Sequence, residues 1–99
     1  MAVRLPVAIV ALVFAAGLTS ARAQEAPAGA ASCSGCHPNS KSVETPAARL
    51  IGRDPGEIVA AMQAFKSGGR PATLMDRIAK GFSDDEIKAI AAWYGARKD

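Results

Sequence analysis

The sequence predicts an all-α domain of three to four short helices. Three observations carry this. No stretch alternates polar and apolar residues long enough to make a strand. Two segments, opening at Asp54 and Ser83, begin with helix-start signatures and continue with apolar residues at helical spacing. Loop-forming stretches, Pro38–Ser42 and Gly68–Pro71, separate the helical ones. The length of 99 residues has room for one domain.

Residues 1–23 read as a cleaved secretory leader. Arg4 supplies the positive start, Leu5–Leu18 the apolar stretch, and Ala21-Arg22-Ala23 the small residues that a signal peptidase reads. The apolar stretch is shorter than the roughly 20 residues a membrane helix needs, so no stable span is expected after cleavage. The mature domain is then 24–99, small enough to need a staple beside its hydrophobic core. Cleavage removes Arg4 and Arg22, which lowers the formal charge of +3. A basic chain of this kind gives no argument for nucleic-acid binding.

Pro27 is placed to open a short helix running through Ala28–Ala31 toward Cys33. Gly29 and Ala30 are small enough to let another helix approach closely. After the loop at 38–42, Leu50 and Ile51 are expected to turn inward and Gly52 to end that segment. Asp54 is a good N-cap, Pro55 suits the first helical position, and Glu57 is placed to complete a capping box. Ile58, Met62 and Phe65 then form one apolar stripe, and Gly68-Gly69 stops the helix. Arg70–Met75 is an extended loop stiffened by Pro71, followed by a short helical turn through Lys80, closed by Gly81. Ser83 and Glu86 form a capping box for the last helix, which carries Ile87, Ile90 and Trp93 or Tyr94 at helical spacing. Gly95 lies near its end, and Arg97 and Lys98 complement its dipole.

The chemistry sits in Cys33-Ser34-Gly35-Cys36-His37. This Cys-x-x-Cys-His pattern is the attachment signature of a c-type haem. The two thiols add across the vinyl groups of one porphyrin, and the next residue, His37, donates a ring nitrogen as axial ligand. The readings against it are weaker. A disulfide would close only a four-residue redox motif, without the strand–helix alternation that accompanies thioredoxin-like sites. A structural zinc site wants four ligands, and His37 is the one histidine of the chain.

An iron held by one histidine needs a sixth ligand, and the mature chain offers Met62 and Met75. Met75 is the better candidate because it ends a Pro-stiffened loop, whereas Met62 sits in a helix stripe where core packing is its default role. A thioether favours ferrous iron, so His/Met ligation raises the reduction potential. It also fills both axial sites, which disfavours oxygen or peroxide chemistry.

Cys33–His37 with a later methionine resembles a class I cytochrome c. The run Phe65–Phe82 resembles, more narrowly, the cytochrome subunits of flavocytochrome c sulfide dehydrogenases. The similarity runs from Cys33 to about Tyr94. It implies a small class I cytochrome c fold wrapped around one covalently bound haem c. Cys33 and Cys36 would be the thioether links, and His37 and Met75 the axial ligands of the haem iron. It implies a periplasmic, non-catalytic electron carrier whose donor is a separate FAD-containing flavoprotein and whose acceptor is another redox protein. One departure stands out. Such cytochromes carry Pro-x-Leu-x-Gly after the haem motif, with the proline carbonyl accepting the histidine N–H. Here Leu50 and Gly52 match, Ala48 stands at the proline position, and Pro46 is two residues early. That leaves open which carbonyl orients His37.

Phe65, Phe82 and Trp93 are expected to fill the core, with Trp93 touching a second helix. Lys66, Arg70, Arg77 and Lys80 flank Met75, either as a collar that steers an acidic partner or as a solvated basic face. No catalytic dyad, triad or phosphate loop is present. The expected function is one-electron Fe(III)/Fe(II) cycling as the haem subunit of a sulfide-oxidising flavocytochrome. The alternatives are a free periplasmic shuttle serving several enzymes and a haem-free secreted dithiol/disulfide domain.

Overall fold

The structure, a computed structural model, describes residues 2–3 and 25–98. The expected leader and its cleavage point therefore lie outside the described residues, apart from 2–3. Among the described residues all regular structure is helical, as the sequence predicts. The elements are α1 (Ala30–Cys33), α2 (Pro55–Ser67), α3 (Met75–Ala79) and α4 (Asp84–Ala96). No helix among them is long and apolar enough to cross a membrane.

Helix α1 is shorter than expected. Gly29, at φ +84°, is its N-cap, and Pro27 lies in the preceding turn, its carbonyl accepting from Ala30 N–H at 3.1 Å. The small residues do what their size suggests. A Cβ on Gly29 would stand 2.6 Å from a ring carbon of Phe82, and Ala30 is fully buried. Four residues cannot hold a helix by themselves; burial of this end against the rest of the chain holds α1.

Helix α2 begins as its sequence directs, with Pro55 at the first position. The Asp54 carboxylate accepts from Gly56 N–H at 2.7 Å, one residue earlier than a capping box to Glu57 would have it. Gly68, at φ +79°, ends the helix, a conformation that glycine adopts without penalty. Helix α4 opens with the expected capping box: Ser83 Oγ accepts from Glu86 N–H at 3.2 Å, and Glu86 accepts from Ser83 N–H at 3.0 Å.

Helix α2 packs against both α3 and α4. The core cluster is Ala30, Ile58, Ile90, Ala91 and Tyr94, with Leu50, Ile51, Met62, Phe82 and Trp93 packed around it. Full burial of an isoleucine or tyrosine-sized side chain stabilises by about 1.5–3 kcal/mol. Helices α2 and α4 come close where Gly95 faces Pro55: a Cβ there would be 2.6 Å from the Pro55 ring and 2.7 Å from the Arg53 carbonyl. Gly52, at φ +74°, turns the chain so that its N–H reaches the Tyr94 carbonyl at 3.1 Å.

Candidate haem site

The sequence places Cys33, Cys36 and His37 at one helix end and Met75 at the start of another. The fold brings all four to the wall of one cavity of about 450 Å³. Helix α1 ends at Cys33, and the chain folds into a turn in which Cys36 N–H and His37 N–H both donate to the Cys33 carbonyl, at 3.2 and 2.9 Å. That turn keeps the two cysteines and the histidine on the same wall. Arg77 and Ile78 N–H close the first turn of α3 on the Leu74 carbonyl, and Met75, the first residue of α3, lines the cavity.

His37 is oriented by Ala48. Its Nδ1–H donates to the Ala48 carbonyl oxygen, which can only accept, so Nε2 carries the free lone pair needed by a metal ligand. The carbonyl at the position where related cytochromes carry proline thus performs the expected task from an alanine. The proline ring is dispensable for this bond because the acceptor belongs to the backbone.

Both cysteines are free. Burial pushes the Cys33 thiol above its ordinary range. A redox-active dithiol needs the opposite shift, toward thiolate. Among the described residues, no three of His, Cys, Asp and Glu come together as ligands for a bare metal ion.

The cavity fits haem. Its size lies within the range of about 300–1,000 Å³ typical of cofactor pockets. Leu50, Ile58, Phe65, Phe82, Ile87 and Ile90 give it apolar walls suited to a flat macrocycle, and Arg53 and Arg70 supply cations for carboxylate substituents. Arg70 is held over the Phe65 ring, 5.0 Å from its centroid. Phe65 and Phe82 therefore line the cavity, against the expectation of plain core, although Phe82 packs on the core cluster as well. Of the inward-turning pair, Leu50 lines the cavity and Ile51 packs against the core. Met62 also does both, so the cavity wall holds two thioethers.

Of the four basic residues around Met75, Lys66 is committed internally. Its ammonium donates to the Phe82 carbonyl at 2.8 Å and pairs with Asp84 at 3.3 Å, tying the end of α2 to the start of α4. Arg77 and Lys80 are exposed.

The residue that sequence reasoning valued too little is Tyr94. It is buried, and its hydroxyl donates to the Ala30 carbonyl and meets Ser34 Oγ at 2.8 Å. The tie from α4 to the Cys33–His37 turn thus runs through Tyr94, while Trp93, expected to touch a second helix, packs on the core cluster that includes Ala30 and Ile58. Trp93 packs partly buried beside it, with its ring edge-on to Tyr94 and the Arg97 guanidinium 4.4 Å from its centroid. Helical spacing alone fits either aromatic residue.

No protein-family model matches the chain. The cytochrome subunit of sulfide dehydrogenase from Chlorobaculum tepidum is 38% identical to it over 64 residues. That alignment covers 65% of this chain and 58% of the relative, so the chain spans less than two thirds of the relative's length. In fold and in sequence, the chain is similar to a small cytochrome c and resembles the cytochrome subunit of sulfide dehydrogenase.

Proposed function

We propose that this chain is a periplasmic monohaem c-type cytochrome that accepts electrons from a FAD-containing sulfide dehydrogenase flavoprotein and passes them to another redox protein. The observation that carries the reading is the meeting of Cys33, Cys36, His37 and Met75 on one apolar-walled cavity. The identity to a sulfide dehydrogenase cytochrome subunit supports the choice of partner, and the leader-like residues 1–23 support export.

Haem bound here would supply one-electron Fe(III)/Fe(II) cycling. Cys33 and Cys36 would hold it through thioethers, and His37 Nε2 and Met75 Sδ would be the donors to its iron. Ala48 fixes the histidine tautomer and raises its basicity as a ligand. The apolar wall of Phe65, Phe82 and the α4 isoleucines excludes water, which keeps the surrounding dielectric low and helps set the potential. The chain itself makes and breaks no substrate bonds; sulfide oxidation belongs to the flavin-bearing partner.

The test is an optical spectrum of the native protein after gentle size exclusion from the periplasm. Reduced c-haem bands with flavin absorbance in one larger peak, and haem reduction on adding sulfide, are the expected result. Haem bands in a small flavin-free peak that sulfide does not reduce would make the chain a free shuttle. Absence of haem bands would overturn the reading of Cys33–His37.

A further inference from the structure

We propose that Tyr94 is a positioning residue for the haem-attachment turn, acting through a directed hydrogen-bond chain that starts at Asn39 and ends at Ala30. The inference rests on reading Cys33–His37 as the attachment motif. The Ala30 carbonyl can only accept, so Tyr94 spends its single proton there. Ser34 must then donate to the tyrosine oxygen, 2.8 Å away. That leaves Ser34 Oγ as acceptor for the Asn39 side-chain amide at 3.4 Å. The order is Asn39 N–H to Ser34 O–H to Tyr94 O–H to Ala30 O. Each donor is polarised by the one before it, so the links act together.

The placement makes this more than core packing. Ser34 lies between the two cysteines, Asn39 lies two residues beyond His37, and Ala30 begins the helix that ends at Cys33. One hydroxyl on α4 therefore touches the attachment turn from inside and the helix leading into it, and reaches the segment after it through Ser34. Tyr94 is also the one tyrosine of the chain. Its buried ring is 1% exposed and is fixed by the core, so the position of the hydroxyl is set by α4. The turn is thereby referenced to the helix scaffold, in addition to the His37–Ala48 bond that sets the ring of the ligand itself.

The test compares the haem-loaded wild type with Tyr94→Phe, Ser34→Ala, Ser34→Thr and the double variant Tyr94→Phe/Ser34→Ala. Ala91→Gly is the control: it weakens the buried face of α4, and Ala91 is neither in the chain of bonds nor on the cavity wall. Covalent haem is read by mass. The ligand geometry is read by the proton shifts of the haem methyl groups in the oxidised protein, which respond to the plane of the histidine ring. Tyr94→Phe and Ser34→Ala should move the same methyl shifts in the same direction, and the double variant should move them no further than the larger single one. Ser34→Thr should keep the wild-type pattern. Ala91→Gly should lower the unfolding midpoint with the pattern unchanged. A wild-type pattern in both Tyr94→Phe and Ser34→Ala, or an equal change in Ala91→Gly, would overturn the proposal. Should Tyr94→Phe fail to fold, Ser34→Ala and Ser34→Thr decide alone. A wild type whose mass lacks haem would remove the attachment reading itself, an outcome distinct from haem-loaded variants that show no shift.

Discussion

On the attachment turn, His37 is bonded to Ala48, Ser34 to Tyr94, and Tyr94 to Ala30. On the arm that brings Met75 to the same cavity, residues 70–74 are exposed, and Leu74 precedes α3 without a side-chain cap. Arg70 ties that arm back to α2, its N–H to the Ala64 carbonyl at 3.2 Å and its guanidinium to the Phe65 ring. The turn is held by polar ties between residues far apart in the chain. The arm is held by the stiffness of Pro71, by the packing of α3 on α2, and by the wall it forms. A ligand on such an arm is the easier one to release, because regions with few buried contacts open at lower free energy than the core. The two sides of one site thus differ in how they would fail.

The largest effect that would break this comparison concerns the two methionines. Met75→Ala is expected to keep covalent haem, lose the Met–iron charge-transfer band and lower the reduction potential, because the soft thioether is gone. Met62→Ala is expected to keep the band and lose about 1–2 kcal/mol of stability, below the 2–5 of a fully buried methionine because Met62 is half-buried. Spectra and denaturant titrations of both variants check this. A band kept by Met75→Ala and lost by Met62→Ala would move the ligand from the α3 arm to the α2 wall.

Gly95→Ala tests the scaffold behind the turn. Alanine gains about 1 kcal/mol over glycine in helix propensity. Against this, its Cβ would meet the Pro55 ring at 2.6 Å and the backbone oxygen of Arg53 at 2.7 Å. Overpacking of this kind costs about 1–3 kcal/mol, and a backbone oxygen gives way less easily than a side-chain tip. A net loss of up to about 2 kcal/mol of stability, read as a lower denaturant midpoint, is expected. A midpoint at or above wild type would mean that α4 slides without strain, and that the Tyr94 hydroxyl is not held to a fixed position.

The helices were legible because their signals are local. Ser83 with Glu86, Pro55 after Asp54, and Gly68 each act within one turn of chain. The Cys-x-x-Cys-His pattern is legible for the same reason: Cys33–His37 is contiguous. What the sequence did not reveal depends on residues that are distant in the chain. The Ala48 carbonyl is a backbone group that any residue supplies, so the missing proline hid it. Tyr94 and Trp93 are neighbours on one helix, and only the position of α1 decides which is buried. Phe65 and Phe82 read as core because a wall and a core have the same apolar pattern until the cavity between them is seen.

Pro71→Ala sharpens the contrast on the side of the arm. Proline stabilises chiefly by limiting the unfolded chain, so a loss of about 0.4–1 kcal/mol is expected. Amide exchange should rise at Arg70, Arg77 and Ile78, whose N–H groups bond the Ala64 and Leu74 carbonyls, while Cys36 and His37, bonded to the Cys33 carbonyl, keep their wild-type protection. Equal acceleration at both places would mean that the turn and the arm open as one unit.

The smallest expected effect lies at the junction of α2 and α4, where acid should loosen the support of the Phe82 wall. The hydrogen bond from Gln63, followed by the hydrogen bond and charge of Lys66, holds the Asp84 carboxyl below its ordinary value of 3.8. A carboxylate whose folded pKa is depressed contributes stability that is complete above the ordinary value and is lost as pH falls through the lowered one. Glu86 behaves likewise below its ordinary 4.5, chiefly through the Ser83 backbone N–H of the capping box. Both groups are exposed, so the effect is small and added salt weakens it further. Unfolding midpoints measured from neutral pH down through the region below the ordinary values of 4.5 and 3.8 should therefore fall as the two groups take up protons. Asp84→Asn keeps an oxygen to accept from Gln63 and Lys66 but carries no charge, so it should make that acid loss smaller. An unchanged acid loss in that variant would place the acid sensitivity elsewhere and reduce the Lys66–Asp84 pair to a surface contact without weight in holding α2 to α4.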